Sequence, residues 1–487
     1  MPSFALRAAS SAALACSILQ LTAVAATAPQ TDAYVTVSGA DRVAVLDTVS
    51  ATASASIPVG DGPSRAAFSR DGARAYVSNT SADTVSVIDT EALLQLATIP
   101  VGDAPGELAV SPDGALVYVM VANGVVQVID AAAGAVVDSI ATGSGSGGIA
   151  LSRDGSRLYV AGGAISVVDT STRAVIASQA VGTAALDIEL TPDGSRAYAS
   201  FYTFYFSPVF SASGAVAVLD TATNTIQSYI NTGSLPSAVA VSPDGERVYV
   251  GLTDTWVNTG YGAGFLPTKI VATISTATNT ISASTLLANR PAGIAVSADS
   301  SRVFVAAPSS NHVAVIDAAT SAVITTIPVA GAPGHVAMAP RVSVTTSYCA
   351  AGLTTHGCAP SVSASGFAGA SEGSGFQLRV EGVEGQRAGL LIYGVSGPSS
   401  SPWGSGTSTL CVKAPLQRTA TQNSGGTDGA CDGVFVLDFN TYLAEHPSAL
   451  GQPFATATSV CAQGWFRDPP ASKGTNLSSA LEFVVQP

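Results

Sequence analysis

A module of roughly 40 residues recurs along the first two thirds of the chain and constrains the fold more than any other feature. Each copy carries a turn like Ser-Pro-Asp-Gly, a Tyr-Val strand, a strand like Val-x-Val-Ile-Asp-Thr, and a further strand that ends near Val-Gly-x-x-Pro. The apolar segments are short and rich in Val, Ile and Tyr, which favours strands, whereas the Asp-Gly and Asp-Thr steps favour turns. The aspartates of the first turn are Asp71, Asp113, Asp154, Asp193, Asp244 and Asp299.

Four short strands per module predict the blade of a β-propeller. The chain opens inside a module, at 33–37 and 43–47, and leaves the array at 335–339 with a first strand alone. Joined, these pieces complete a seventh blade from one plus three strands, which removes the free edges of the ring. The sequence therefore predicts an all-β protein: a seven-bladed β-propeller over 29–340, then a disulfide-bearing, β-sandwich-like domain of unassigned role over 341–487.

The repeats resemble those of a known family. Tyr34-Val35-Thr36-Val37 and Tyr76-Val77-Ser78-Asn79, together with the Ser-Pro-Asp-Gly turns, are similar to the YVTN family of bacterial seven-bladed β-propellers, over about residues 33–340. The Asn of that motif stands only at Asn79 in this chain. The resemblance implies an exported binding scaffold, and some relatives are lactonases or lyases.

The composition changes after about residue 340, where Ser, Gly and Thr dominate and short strand-like runs replace the repeat. Segments at 403–407, 429–433 and 465–470 resemble a C-terminal domain that recurs on large secreted bacterial proteins. Display or attachment is the role this resemblance suggests.

Five cysteines in this region predict disulfides and an oxidising compartment. Pairing within short loops would join Cys349 to Cys358 and Cys411 to Cys431, and would leave Cys461 as a buried free thiol. A reshuffled pairing or an intermolecular bond stays open, because five cysteines cannot all pair within one chain.

The N-terminus predicts export. Residues 1–25 have the form of a signal peptide, with Arg7 at its positive start, a mostly apolar stretch at 8–24 and small residues at Ala23-Val24-Ala25. A lipoprotein box at Leu14-Ala15-Cys16 is the weaker interpretation, because the apolar stretch continues beyond it. We therefore expect a secreted or periplasmic protein, with the cell surface as a further destination.

Composition argues against nucleic-acid binding and against a transmembrane segment beyond the N-terminus. The chain has 20 Lys and Arg against 33 Asp and Glu, a formal net charge of −13, and its basic residues are scattered, which disfavours nucleic-acid binding. Beyond the N-terminus no apolar run is long enough for a transmembrane segment. The sequence does not determine the oligomeric state.

Function in a repeat protein is sought where the repeats differ, and the first strand of each module provides such places. At one aligned position the modules carry Arg65, Glu107, Asp187 and His335 among small residues, and two residues later Glu189 replaces an alanine found in the other six. These first strands radiate around one axis, so we expect the five side chains to converge on the central channel. The plain structural alternative is an Arg65–Glu107 ion pair, with the other carboxylates hydrated.

A catalytic interpretation assigns each polar residue a role. Glu107, Asp187 and Glu189 would hold a divalent cation, Ca²⁺ or Mg²⁺, as a Lewis acid for a substrate carbonyl. His335 would shuttle protons and Arg65 would orient an anionic group. No cofactor is required by any recognised motif, because nucleotide-binding and zinc-protease patterns are absent from the sequence.

Two aromatic insertions mark a second candidate surface. They lengthen the fourth and fifth modules at 201–213 and 252–268, and we expect them on the face where the first strands begin. Aromatic clusters of this kind are typical of interaction surfaces, although packing against each other or against the C-terminal domain is the structural alternative. The aromatic residues are Phe201, Tyr202, Phe204, Tyr205, Phe206, Phe210, Trp256, Tyr261 and Phe265.

Two functions remain from the sequence. The favoured one is an exported scaffold that binds a protein, a glycan or a small ligand through the aromatic face. The alternative is a metal-assisted lactonase or lyase at the mouth of the channel.

Overall fold

The structure is a computed structural model, and it confirms the all-β prediction. The signal peptide predicted over 1–25 lies outside the described residues. In the part of the chain that the structure describes, no helix combines the length and hydropathy of a membrane span. The described residues are 32–143, 145, 147–205, 211–258, 263–340, 345–349, 351–366, 368–369, 375–403, 408–454, 458–469 and 474–485.

The repeats form 28 strands in described positions. Three short 3₁₀ turns, Ser38–Ala40, Ala122–Gly124 and Pro308–Ser310, interrupt the strand pattern. In chain order the strands are β1 (Asp32–Val37), β2 (Arg42–Asp47), β3 (Thr52–Pro58), β4 (Pro63–Phe68), β5 (Arg74–Asn79), β6 (Thr84–Asp89), β7 (Leu94–Pro100), β8 (Leu108–Val110), β9 (Leu116–Val121), β10 (Val125–Asp130), β11 (Ala135–Ala141), β12 (Ile149–Leu151), β13 (Arg157–Val160), β14 (Ala164–Asp169), β15 (Ala174–Ala180), β16 (Ala184–Leu190), β17 (Arg196–Tyr205), β18 (Ser211–Asp220), β19 (Thr225–Asn231), β20 (Leu235–Val241), β21 (Arg247–Asn258), β22 (Ala263–Ser275), β23 (Thr280–Leu286), β24 (Ile294–Val296), β25 (Arg302–Ala307), β26 (His312–Asp317), β27 (Ala322–Pro328) and β28 (Pro333–Met338).

These strands pair as four-stranded antiparallel sheets, the arrangement of a β-propeller. Six sheets take four consecutive strands each, from β4–β7 to β24–β27, and one has the order β28-β1-β2-β3. In that sheet Ala33 lies opposite Met338 and Val35 opposite Val336, so the last strand of the array pairs with the first. Apolar side chains from neighbouring sheets bury one another, as Phe304, Val35 and Val336 do.

The module aspartates lie in turns, as their Asp-Gly and Asp-Thr steps predict. The Asp71 carboxylate accepts hydrogen bonds from the Ser69 hydroxyl at 2.6 Å and from the backbone N–H of Ala73 at 3.0 Å. Gly72, with φ at +68°, supplies the left-handed backbone that the turn needs. Each repeated carboxylate therefore closes a turn of its own sheet.

The C-terminal region is a second β structure with an aromatic core of Phe376, Phe435, Phe439 and Phe483. Its main sheet has the order β29-β39-β38-β32-β35, with β36 also on β32, and smaller sheets have the orders β30-β31-β37 and β33-β34. The elements are β29 (Thr345–Tyr348), β30 (Ser361–Ser365), β31 (Gln377–Val383), β32 (Ala388–Gly394), β33 (Pro398–Pro402), β34 (Thr409–Val412), β35 (Gln417–Arg418), β36 (Gln422–Asn423), β37 (Gly433–Asp438), α1 (Phe439–Glu445), β38 (Thr458–Arg467) and β39 (Thr475–Val485).

The disulfide cysteines were predicted correctly, but their pairing was wrong. Cys349 is joined to Cys411 and Cys358 to Cys431, so each bridge closes a long loop instead of a short one. The reason is tertiary: β34, which carries Cys411, packs on β38, where the Gln463 side chain accepts a hydrogen bond from the Cys411 N–H at 3.0 Å. Cys461 is a buried free thiol, as expected.

The closing strand generates a test of the fold. A chain of residues 32–340 should fold and melt cooperatively, whereas 32–330 should lose most of its stability, because it lacks β28 and exposes the edge of β1 and the site of the buried Val336. Circular dichroism and thermal melts measure both. An unfolded 32–340 chain would place the domain boundary elsewhere, and equal melting of the two would make the closing strand dispensable.

Candidate functional site

A central cavity of about 710 Å³ lies among the first strands of the sheets. These inner strands are β4, β8, β12, β16, β20, β24 and β28, and each contacts the next, with β28 returning to β4. The lining extends from the level of Arg65 to the level of Pro192 and Pro243, which belong to the Asp-Gly turns. All five residues of the predicted polar cluster, Arg65, Glu107, Asp187, Glu189 and His335, line this one cavity.

Small side chains keep the cavity open. Six inner strands present a methyl group at the same level, and on β16 the carboxylate of Glu189 takes that place. The small side chains at this level therefore leave the axis of the channel unfilled. The six residues are Ala67, Ala109, Ala150, Ala240, Ala295 and Ala337.

Arg65 and Glu107 form an ion pair between neighbouring sheets. Nε of Arg65 lies 2.7 Å from Oε2 of Glu107, and Nη1 of Arg65 also donates to the Ser64 carbonyl at 3.2 Å. The guanidinium side chain is 42% exposed to the cavity, whereas that of Glu107 is 17% exposed. Burial raises the pKa of Glu107 to about 7, because the loss of hydration outweighs the attraction of Arg65, and Asp187 adds repulsion.

Asp187 and Glu189 both cap the backbone of the neighbouring strand β20. Oδ2 of Asp187 accepts from the Val239 N–H at 2.9 Å, and Oε2 of Glu189 accepts from the Val241 N–H. Burial raises the pKa of Glu189 to about 8 in spite of that bond, and repulsion from Asp187 and Glu107 acts in the same direction. Burial also raises the pKa of Asp187.

These two hydrogen bonds satisfy an edge that the sheet itself leaves open. Inner strands pair with a neighbour on one side only, so alternate N–H groups along the other side have no ladder partner. Val239 and Val241 are such alternate positions on β20. The carboxylates therefore join two sheets, an arrangement that differs from the hydrated carboxylates of the structural alternative.

His335 makes the corresponding contact where the chain closes on itself. Its ring atom Nδ1 accepts a hydrogen bond from the Ala66 N–H of β4 at 3.4 Å. The backbone N–H of His335 donates to Oγ1 of Thr36 at 3.0 Å. Burial, with repulsion from Arg65, lowers the pKa of His335 to about 3. The imidazole is therefore neutral at neutral pH, with its proton on Nε2. In contrast, burial brings the pKa values of Glu107 and Glu189 close to neutrality.

Two glycines at the aligned position allow the inner strands to approach. A Cβ on Gly148 would lie 2.8 Å from the Cα of Asp187, and a Cβ on Gly293 would lie 2.6 Å from the Cα of His335. Neither distance leaves room for a side chain. The small residues of this level are thus fixed by contact with the polar ones.

The proposed metal ligands share a cavity but are committed to other partners. In the described residues no group of three or more His, Cys, Asp or Glu side chains is arranged to hold a metal ion. Glu107 faces Arg65, and the other two carboxylates face β20. Sequence reasoning missed these backbone donors and also Thr36, because the residue type does not indicate which backbone N–H groups lack a partner in the sheet.

The aromatic insertions extend two hairpins. Strands β17 and β18 have 10 residues each, and β21 and β22 have 12 and 13. Ala184, the first residue of β16, lies opposite Tyr202 in β17, so the described extension of β17 lies at the end where the inner strand begins.

The described aromatic side chains of the insertions differ in exposure. Phe201 is 8% exposed and packs edge to face against Tyr229, with the ring centroids 5.5 Å apart. The ring centroids of Tyr202 and Phe204 lie 4.8 Å apart. Phe265 is 41% exposed. The backbones of Tyr205 and Trp256 belong to the strands, whereas Phe206, Phe210 and Tyr261 lie outside the described residues.

Solved structures with a similar fold include proteins of different kinds. A functionally unknown protein from Desulfotomaculum acetoxidans DSM 771 is 18% identical, with a TM-score of 0.50 over 63% of this chain and 98% of that one. Kuenenia stuttgartiensis hydrazine synthase is 22% identical, with a TM-score of 0.49 over 57% of this chain and 89% of that one. The dihydro-heme d1 dehydrogenase NirN in complex with DHE is 16% identical, with a TM-score of 0.44 over 64% and 75%.

No protein-family model matches the sequence, and no curated protein matches it. At identities this low, the likeness to solved structures concerns the fold alone.

Glu189 should make stability fall as pH rises. Its pKa is about 8 in the folded protein against 4.5 ordinarily, so the folded state binds more protons between these values and loses stability as pH rises through them. Glu189→Gln keeps an acceptor for the Val241 N–H and does not titrate. Its melting temperature should exceed that of the unmodified protein at pH 9 and match it near pH 4. The exposed Glu91→Gln variant is the control, and an unchanged pH profile in Glu189→Gln would contradict the assignment.

His335 should act in the opposite sense. Its pKa is about 3 when folded against 6.5 ordinarily, so stability is present above 6.5 and is lost as pH falls towards 3. His335→Asn retains an acceptor near the position of Nδ1 without a titratable ring. Thermal melts from pH 7 to pH 4 should therefore decline less steeply for this variant than for the unmodified protein or His312→Asn. Parallel declines in all three would exclude a buried neutral imidazole.

Proposed function

We propose that this protein is an exported, seven-bladed β-propeller of the YVTN type that serves as a binding scaffold, with its partner docked on the two extended hairpins. The cyclic contacts of the inner strands and the pairing of β28 with β1 support the blade number. Two disulfides support an oxidising compartment, secreted or periplasmic. The proposed partner is a protein, because the hairpins offer extended apolar surface instead of a closed pocket.

The observation that carries this proposal is the length of the β21–β22 hairpin beyond its sheet. Strand β23 pairs with β22 only from Ile270 onwards, and β20 pairs with β21 no further than Asp254. Among the described strands, none pairs beside the remaining pairs, such as Thr255 with Leu266 and Trp256 with Phe265.

A two-stranded ribbon is marginally stable in water unless it packs against something. Here it also exposes apolar surface, since Leu266 is 56% and Phe265 41% exposed. A protein partner that covered these side chains would bury that surface and stabilise the ribbon.

The alternative of a metal-assisted lactonase or lyase, with Ca²⁺ or Mg²⁺ in the channel, uses the residues of the central cavity. It has less support, because Glu107 already pairs with Arg65, and Asp187 and Glu189 already accept backbone N–H groups. A rise in melting temperature on adding either cation, abolished in Glu189→Gln, would favour it.

Removing the exposed side chains of the ribbon should abolish partner binding without unfolding the protein. The variant is Phe265→Ser with Leu266→Ser, and the matched control is Val323→Ser with Ile324→Ser, which alters two exposed apolar residues of the outer strand β27. We expect a species cross-linked to the unmodified protein and to the control in intact cells, and lost with the ribbon variant. Equal cross-linking to all three would place the partner elsewhere.

A further inference from the structure

A separate cavity of about 330 Å³ lies in the C-terminal region, on the outer face of its main sheet. Side chains alternate along β32, so Leu391 and Tyr393 enter the aromatic core while Leu390 and Ile392 face the opposite way. The outward pair forms the floor of the cavity, together with Leu410. This cavity does not belong to the channel or to the hairpins.

Two tryptophans form its walls. Trp465 on β38 lies opposite Leu390 in the register of the sheet, and its indole is half-buried. Trp403 follows β33, and its Nε1 donates to Oγ1 of Thr475 at 3.0 Å. That bond anchors the Trp403 indole to β39 at the edge of the cavity. Trp465 is itself a residue of β38, so the sheet holds both indoles.

Two exposed arginines, Arg418 and Arg467, complete the lining. Arg418 lies opposite Ile392, and Arg467 lies opposite Thr475. Neither forms an ion pair with any residue in the described ranges. Both guanidiniums are therefore available to an anion in the cavity.

We propose that this cavity binds a small organic anion with a flat apolar body, of the aryl carboxylate class. The indoles and the aliphatic floor would bury the ring, and the guanidiniums would pair with the carboxylate through charge-assisted hydrogen bonds. The volume lies at the lower end of the range for small-molecule sites, roughly 300–1,000 Å³.

The lining also argues against a neutral sugar as the ligand. Apart from the two arginines and the indole N–H groups of Trp403 and Trp465, Thr421 is the polar side chain of the described lining. A sugar would bury hydroxyl groups against Leu390, Ile392 and Leu410 without partners, which is costly. A ring that carries a single anionic group has no such deficit.

Calorimetric titration of the full chain with naphthalene-2-carboxylate tests this inference, with neutral naphthalene-2-carboxamide as the matched ligand. We expect the carboxylate to bind with a Kd of about 1 mM or tighter and the amide about tenfold more weakly. The double variant Arg418→Gln, Arg467→Gln should lose about tenfold in affinity for the carboxylate and little for the amide. Arg379→Gln, which removes an exposed arginine outside the cavity, should change neither.

Three results would overturn the proposal: no binding of the carboxylate at millimolar concentration, equal affinity for both ligands, or undiminished carboxylate affinity in the double variant. Near-ultraviolet circular dichroism establishes that each variant is folded. If the double variant does not fold, the two single variants and the comparison of the two ligands decide the question.

Discussion

The unpaired edge of each inner strand is the constraint on which the propeller depends. An inner strand pairs with its own sheet on one side, and its remaining N–H groups face the neighbouring sheet or the channel. Here Asp187 and Glu189 accept two of them from β20, and His335 accepts one from β4. Because each bond joins different sheets, the polar cluster adds to the apolar contacts that hold neighbouring sheets together.

This role limits what the cluster can do as a chemical site. A carboxylate that already accepts a backbone N–H, or faces a guanidinium at 2.7 Å, has less capacity left for a cation. Its charge is also costly in the cavity wall, which is why burial raises the pKa of Glu107 and Glu189 towards neutrality. Perturbed pKa values mark functional sites and structural networks alike, and here the contacts favour the structural origin.

The surfaces that remain available lie away from the channel axis. The β21–β22 hairpin projects apolar side chains beyond its sheet, and the C-terminal sheet uses one face for its aromatic core and the other for a cavity with Trp403 and Trp465. In the C-terminal sheet, period-two alternation puts Leu391 and Tyr393 in the core and leaves Leu390 and Ile392 on the cavity side. In the hairpin, the consecutive residues Phe265 and Leu266 are both exposed.

The sequence by itself determined the strands, their turns and the convergence of Arg65, Glu107 and Asp187 on one axis, because alternation and Asp-Gly turns are local properties that repetition amplifies. It could not identify the partners of these groups, because the N–H groups of β20 come within hydrogen-bond distance of the carboxylates only when two sheets pack together. It also could not pair Cys349 with Cys411, or bring Trp403 beside Trp465. Those contacts join segments that are distant along the chain, and only tertiary packing decides which distant segments lie together.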